Sequence, residues 1–201
     1  MMVKICGITN REDALAAVEC GAGALGFNFY PASPRYIRPE EAARIGADLP
    51  PGVWRVGVFV NETAGEIARI SKAAGLDVGQ LHGDEPPESI ATGMRTWKAL
   101  RVDENFTPAR MERYEVEAFV LDAPTEAYGG SGRTFEWSRA RDTGKKVVLA
   151  GGLEESNVRE AIRLVRPWGV DACSSLEIAP GRKDHARMAR FVKAALSEEV
   201  E

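Results

Sequence analysis

Eight short apolar runs separated by stretches with helix-start signals predict an α/β chain closed into a single-domain (β/α)8 barrel of parallel strands. Two further observations favour closure over an open doubly wound sheet. No GxGxxG element follows the first run, and polar candidates for chemistry recur at the ends of many different runs, as around a barrel mouth. The 201 residues fit the lower end of the size range for this fold, about 200, and predict one domain over residues 1–201.

The strands are expected at Val3 to Ile8, Ala24 to Phe29, Arg55 to Val60, Val78 to His82, Thr96 to Val102, Ala118 to Asp122, Lys146 to Ala150 and Gly169 to Ser174. Helices are expected in the gaps. Their starts are marked by Asn10 ahead of Arg11-Glu12-Asp13, by Pro39-Glu40-Glu41, by Thr63 with Glu66 in capping-box spacing, and by Pro86-Pro87-Glu88. The glycine-rich stretch from Ala123 to Thr134 reads as one mobile loop able to close over a substrate.

Composition narrows the function. The 26 basic residues are dispersed among 30 acidic ones, for a net charge of -4, which leaves no basic stripe for a nucleic-acid backbone or an anionic membrane. No apolar run approaches the roughly 20 residues that span a bilayer, and the first residues lack a signal-peptide core. A cytoplasmic location is expected. Cys6, Cys20 and Cys173 are odd in number and lack CxxC spacing, against a disulfide framework and a structural metal site.

On the first strand, alternation puts Lys4 and Cys6 on one face and Val3 and Ile5 on the other. An inward ammonium needs a carboxylate, a bound anion or water, since burying it alone costs several kcal/mol as an order of magnitude. Its charge would favour the Cys6 thiolate. The opposing reading, with Cys6 a small core residue and Lys4 snorkelling to solvent, weighs about equally at this point.

Taken together, the chain resembles the phosphoribosylanthranilate isomerase family. The resemblance is carried by Lys4-Ile5-Cys6-Gly7-Ile8-Thr9, Gly26-Phe27 with Ser33-Pro34-Arg35-Tyr36, and Val56-Gly57-Val58-Phe59-Val60-Asn61. It continues through Gln80-Leu81-His82-Gly83, Leu121-Asp122, Leu149-Ala150-Gly151-Gly152-Leu153 with Asn157, and Pro180-Gly181 with Lys183-Asp184. These motifs follow the family's order along the whole chain.

The resemblance implies a TIM barrel that catalyses an Amadori rearrangement, in tryptophan biosynthesis, of an N-linked ribose 5-phosphate of anthranilate into a 1-deoxyribulose product. That reaction needs an acid and a base and demands neither metal nor redox cofactor. By similarity Cys6 is the base and Asp122 the acid, and Arg35 binds the carboxylate on the anthranilate side. The two tunings must run in opposite directions, the thiol losing its proton readily and the carboxyl holding one near neutral pH. Gln80 and His82 share a face, where they either bond the substrate or serve structurally, and Asp171 either reaches the anthranilate amine or pairs with an interior basic group. Phosphate is expected on backbone amides of Gly151, Gly152, Ser174 and Ser175, near strands seven and eight, with Leu176 to Pro180 forming a short helix. The family's Ser-Ser-Gly-Val-Glu reads Cys173-Ser174-Ser175-Leu176-Glu177 here, with Ser175 in the place of glycine.

The expected partner is a small phosphosugar, and the chain is expected as a monomer or homodimer. Three rivals remain at this stage. A dual-substrate isomerase serving histidine biosynthesis as well would resemble enzymes with two aspartates, whereas Cys6 occupies the first strand here. A noncatalytic phosphosugar-binding barrel would not need both Cys6 and Asp122. A cysteine-redox protein is disfavoured because Cys6 has no resolving cysteine nearby in sequence.

Overall fold

The computed structural model describes residues 1–90, 93–124 and 134–198. Every expected apolar run forms a strand: β1 Met2–Cys6, β2 Ala24–Asn28, β3 Trp54–Phe59, β4 Val78–Leu81, β5 Arg95–Arg101, β6 Ala118–Asp122, β7 Val147–Leu149 and β8 Gly169–Ala172. They pair in order as a closed parallel barrel, β8 returning to β1 with Lys4 opposite Asp171 and Ile5 opposite Ala172. Most strands stop one or two residues before the apolar run does. At the end of β1, Gly7 takes a φ of +74°, and Ile8 beyond it stays buried and still donates to the Gly26 carbonyl of β2 at 3.0 Å. The amides just past these ends still donate to the neighbouring strand, as those of Ile8, Phe29, His82, Val102 and Ala150 do, and these residues lead into the barrel mouth.

Among the described residues, five α-helices pack outside: α1 Arg11–Glu19, α2 Pro39–Ala47, α3 Ala64–Ala74, α4 Val158–Val165 and α5 His185–Leu196. Three of the four predicted starts open α-helices, whereas Pro86-Pro87-Glu88 opens only a 3-10 turn, and the Thr63 amide donates to Glu62 rather than to the capping-box partner Glu66. Asn10 Oδ1 accepts from the Asp13 amide at 2.8 Å, Thr63 Oγ1 accepts from the Glu66 amide at 3.2 Å, and Pro39 opens α2. The three gaps from β4 to β7 differ from the expectation of full helices. Among the described residues they hold only the 3-10 turns Pro87–Ser89, Pro108–Arg113 and Trp137–Ala140. In the first two gaps, prolines fix the entry, and the segments between strands are too short in helical pattern to carry an α-helix onward.

The segment after β8 is a correction. Leu176 to Pro180 is not a helix: a 3-10 turn, Ser174–Leu176, leads into the antiparallel pair β9 Glu177–Ala179 and β10 Arg182–Lys183. Pro180 disfavours helical backbone at Ala179, and Gly181 takes a φ of +78° at the turn.

The main core lies between strands and helices, and a second, smaller one fills the barrel's interior with Val56, Val78, Trp97, Val120 and Val148 among others. Trp54, Trp97 and Trp168 close its N-terminal end, their ring centroids between 5.8 and 6.0 Å apart. With that end filled by indoles, polar interior residues are left to the other end, where the strands finish.

Candidate active site

A cleft of about 750 Å³, its open mouth included, sits at the C-terminal ends of the strands, a size suited to a small-molecule ligand. Its walls carry Cys6, Arg35, His82, Asp122, Asp171 and Cys173, with the glycine turn Gly151-Gly152 and Ser174-Ser175. The barrel therefore gathers all the expected site residues but one.

Lys4 does not snorkel. It is fully buried, and its ammonium donates to Asp171 Oδ2 at 2.8 Å, so Asp171 fills the role of partner to an interior cation. Burial disfavours the Lys4 charge, but Asp171 and Cys6 outweigh it and hold the ammonium above its ordinary pKa. Asp171 is pushed up to about 7, first by burial and further by the neighbouring negative charge at Cys6, against the pull of Lys4. Its second oxygen, Oδ1, is buried without a partner among the described residues, although Asp171 lines the cleft.

The Cys6 thiol lies well below the usual thiol range. The neighbouring Cys173 thiol is the largest cause, acting against the cost of burial, and the charges of Lys4 and Lys183 add to it. Cys173 moves the opposite way, well above that range, because it holds the shared proton and is itself buried. Room for the thiol comes from Gly26, where any Cβ would stand 2.8 Å from Cys6 Sγ and 3.1 Å from Lys4 Nζ.

Across the cleft, Asp122 ends β6. Its Oδ1 accepts from the Ala123 amide at 2.8 Å and its Oδ2 faces His82 Nε2 at 3.3 Å. Gln80 is the residue not brought to the wall. It is fully buried beneath His82, and its amide donates to His82 Nδ1 at 2.8 Å. Since that amide nitrogen can only donate, the histidine's hydrogen sits on Nε2, pointing at Asp122.

Arg35 reaches the cleft from the loop after β2. Its Nε lies 2.9 and 3.1 Å from the two Glu177 oxygens, and its Nη2 is 2.7 Å from Oε2. Nη1 has no acceptor among the described residues. Glu177 is held in turn by Lys183 Nζ at 2.9 Å, and Lys183 also donates to the Cys173 carbonyl at 3.2 Å. Burial alone would raise the Glu177 pKa, but Arg35 and Lys183 bring it below the ordinary carboxylate value. The sequence offers Glu177 and Lys183 no role; their interior facing follows from the β9–β10 pair, of which only the β9 segment, within Leu176 to Pro180, was expected as helix.

Gly151 and Gly152 both have positive φ, +82° and +63°. A side chain on Gly151 would fall 2.6 Å from the Ala123 amide nitrogen, so glycine there lets the β7 turn pass beside Asp122. Asn157 fixes this turn by donating to the Gly152 carbonyl and accepting from the Glu154 amide, both at 2.9 Å. After β8, Ser174 and Ser175 begin the 3-10 turn, and their amides lie in its first turn, where no carbonyl of the turn can accept them. The Ser175 hydroxyl donates to the Leu153 carbonyl at 2.6 Å, joining the β7 and β8 turns. The expected lid, Ala123 to Thr134, lies outside the described residues apart from its ends.

A profile of the N-(5'-phosphoribosyl)anthranilate (PRA) isomerase family matches residues 3–194. The chain belongs to the PRA isomerase family. Among its PRA isomerase relatives, the enzyme of Solibacter usitatus is 49% identical over 196 residues, 97% of each chain. That of Thermotoga maritima is 49% identical over 199 residues, 96% of this chain and 97% of the relative. The crystal structure of phosphoribosyl anthranilate isomerase from Thermus thermophilus superposes with a TM-score of 0.91 at 39% identity, covering 98% of this chain and 99% of that one. A PRA isomerase in complex with reduced 1-(o-carboxyphenylamino)-1-deoxyribulose 5-phosphate superposes with a TM-score of 0.85 at 44% identity, covering 98% of this chain and all of the other. The thiamine phosphate pyrophosphorylase of Pyrococcus furiosus, at 14% identity and a TM-score of 0.67, shares the fold alone.

Proposed function

We propose that this chain converts N-(5'-phosphoribosyl)anthranilate to 1-(2-carboxyphenylamino)-1-deoxyribulose 5-phosphate, an Amadori rearrangement of tryptophan biosynthesis, with residues 1–201 acting as one catalytic domain. The observation that carries this reading is the placement of a thiol tuned toward thiolate and a carboxyl on opposite walls of one cleft, in a chain of the PRA isomerase family.

In this mechanism Asp122 gives a proton to the furanose ring oxygen, and the ring opens to a Schiff base. The Cys6 thiolate then removes the C2 hydrogen, and the resulting enolamine tautomerises to the ketone. Both partial charges develop in a partly enclosed site, where fixed donors act more strongly than in water. His82, oriented by Gln80, positions Asp122. The unpartnered Asp171 oxygen accepts from the anthranilate amine. Arg35 offers Nη1 to the anthranilate carboxylate, its other nitrogens being held by Glu177. The amides of Gly152, Ser174 and Ser175 take the phosphate, an anion site made from turn geometry. Work in the cytoplasm suits a base that must stay a reduced thiol. Assembly as a homodimer follows the example of the Thermotoga maritima relative, described as dimeric.

The test is product formation from phosphoribosylanthranilate by the purified chain with nothing added. Cys6→Ser should fold and lose about 10²- to 10⁴-fold in turnover, the span of general-base catalysis. Asp122→Asn should lose turnover comparably with a smaller change in KM, because the amide keeps the shape but delivers no proton. Near-normal turnover in Cys6→Ser would remove the thiol from the base role.

A further inference from the structure

The second thiol of the cleft is used by the proposed rearrangement only as a hydrogen-bond donor, yet its position allows more. β1 and β8 are neighbours in register, Lys4 opposite Asp171 and Ile5 opposite Ala172, and Cys6 and Cys173 directly follow the last of these pairs on the two chains. Neighbouring strands run about 4.7–4.9 Å apart, inside the Cα separation of about 4.4–6.8 Å that a disulfide spans. Both side chains line the cleft, and Cys173 Sγ lies against Gly7, the residue after Cys6, where a Cβ would stand 2.9 Å from it. Neither is sealed in the core: both are half-buried and line a mouth open to solvent. Two ammonium groups stand by, Lys4 beside Cys6 and Lys183 Nζ 3.8 Å from Cys173 Sγ. The resolving cysteine that is missing from the neighbouring sequence is thus supplied across the closing strand pair.

We propose that Cys6 and Cys173 form a peroxide-oxidisable dithiol site, closing to a reversible disulfide at the mouth of the barrel. The Cys6 thiolate attacks one oxygen of a hydroperoxide; the S–O bond forms, the O–O bond breaks, and the departing alkoxide or hydroxide takes a proton. Cys6 is then a sulfenic acid. The Cys173 sulfur attacks Cys6 Sγ, forming the S–S bond and breaking the S–O bond, and the leaving hydroxide takes the Cys173 proton as water. Two thiols are oxidised, and one peroxide is reduced to an alcohol, or to water, with a further water released. The thiolate state that lets Cys6 take a proton also makes it the attacking sulfur, and Cys173 intercepts the sulfenic acid before it passes to the irreversible sulfinic state. Loss of isomerase activity in the disulfide form rests on the proposal that Cys6 is the base; formation of the bond does not.

The test treats the whole chain with hydrogen peroxide, removes it with catalase, alkylates under denaturing conditions and maps peptides by mass. Free thiols should fall from the three of the sequence to one, with the Cys6 and Cys173 peptides linked, and dithiothreitol should restore both thiols and activity. Cys20→Ser should behave likewise, since Cys20 caps α1 away from the cleft. In Cys173→Ser, measured against its own untreated activity, Cys6 should pass to sulfinic acid and dithiothreitol should restore little. Absence of the linked peptide overturns the site, as does recovery of Cys173→Ser equal to that of the unaltered chain. A linked peptide with isomerase activity intact would uphold the site and overturn Cys6 as the base.

Discussion

At the scale of single residues, the cleft is tuned by neighbours far away in the chain. Cys6 draws its low pKa from Cys173, with Lys4 and Lys183 adding to the effect. A base works only when deprotonated, so the acid limb of kcat/KM falls where Cys6 gains its proton, and a low pKa carries that limb to low pH. Cys173→Ala removes the donor, raises the Cys6 pKa and should move the acid limb to higher pH, with little change on the alkaline side. An unmoved limb would mean that the lysines alone hold the thiolate. Alternation along β1 put Lys4 and Cys6 on one face, and the family resemblance, rather than any local pattern, gave Cys6 and Asp122 their acid–base roles. The Cys6–Cys173 pairing and the clasp of Arg35 by Glu177, 142 residues apart, were not legible in sequence, because contacts across the closing strand pair leave no local pattern.

At the scale of elements, the strands were the most legible part, since each is a short apolar, often β-branched run that must be buried on both faces of a parallel barrel. Helix caps at Asn10 and Thr63 were equally readable, being local hydrogen bonds between residues three apart. What failed was the extent of helix between β4 and β7 and the nature of the segment after β8, where tertiary anchoring of Glu177 decides the backbone path. The same segment shows what Ser175 does in place of glycine. Its hydroxyl is already given to the Leu153 carbonyl, so it ties two amide-bearing turns together and is not free to donate to phosphate. Ser175→Gly should raise KM roughly two- to tenfold, the equivalent of about 0.5–1.5 kcal/mol for one hydrogen bond, with turnover nearly unchanged. Steady-state kinetics decide this, and an unchanged KM would show that Asn157 suffices to hold the β7 turn.

At the scale of the whole molecule, the barrel divides its ends between stability and chemistry. The indole cluster of Trp54, Trp97 and Trp168 fills the end away from the cleft, and Trp97 is fully buried. Trp97→Ala should cost about 3–5 kcal/mol of stability through the cavity it leaves, while KM at moderate temperature stays close to that of the unaltered chain. Chemical denaturation alongside kinetics would check this, and a large rise in KM would show that the two ends are mechanically coupled.

The Lys4–Asp171 pair joins positions 167 apart in the chain, and that span has a bearing on biosynthesis of the protein itself. On the ribosome β1, which bears Cys6, is made before the other barrel strands, and β8, which neutralises Lys4, is made after them. A nascent chain halted before Asp171 would have to bury an ammonium without its counter-ion, at a cost of several kcal/mol as an order of magnitude, and would lack the neighbour that completes the first strand's ladder. Ring closure therefore waits until β8 has been made, a late, long-range event of the kind that slows folding. Truncated chains are left without a finished barrel, and so without a formed cleft in which to act on substrate.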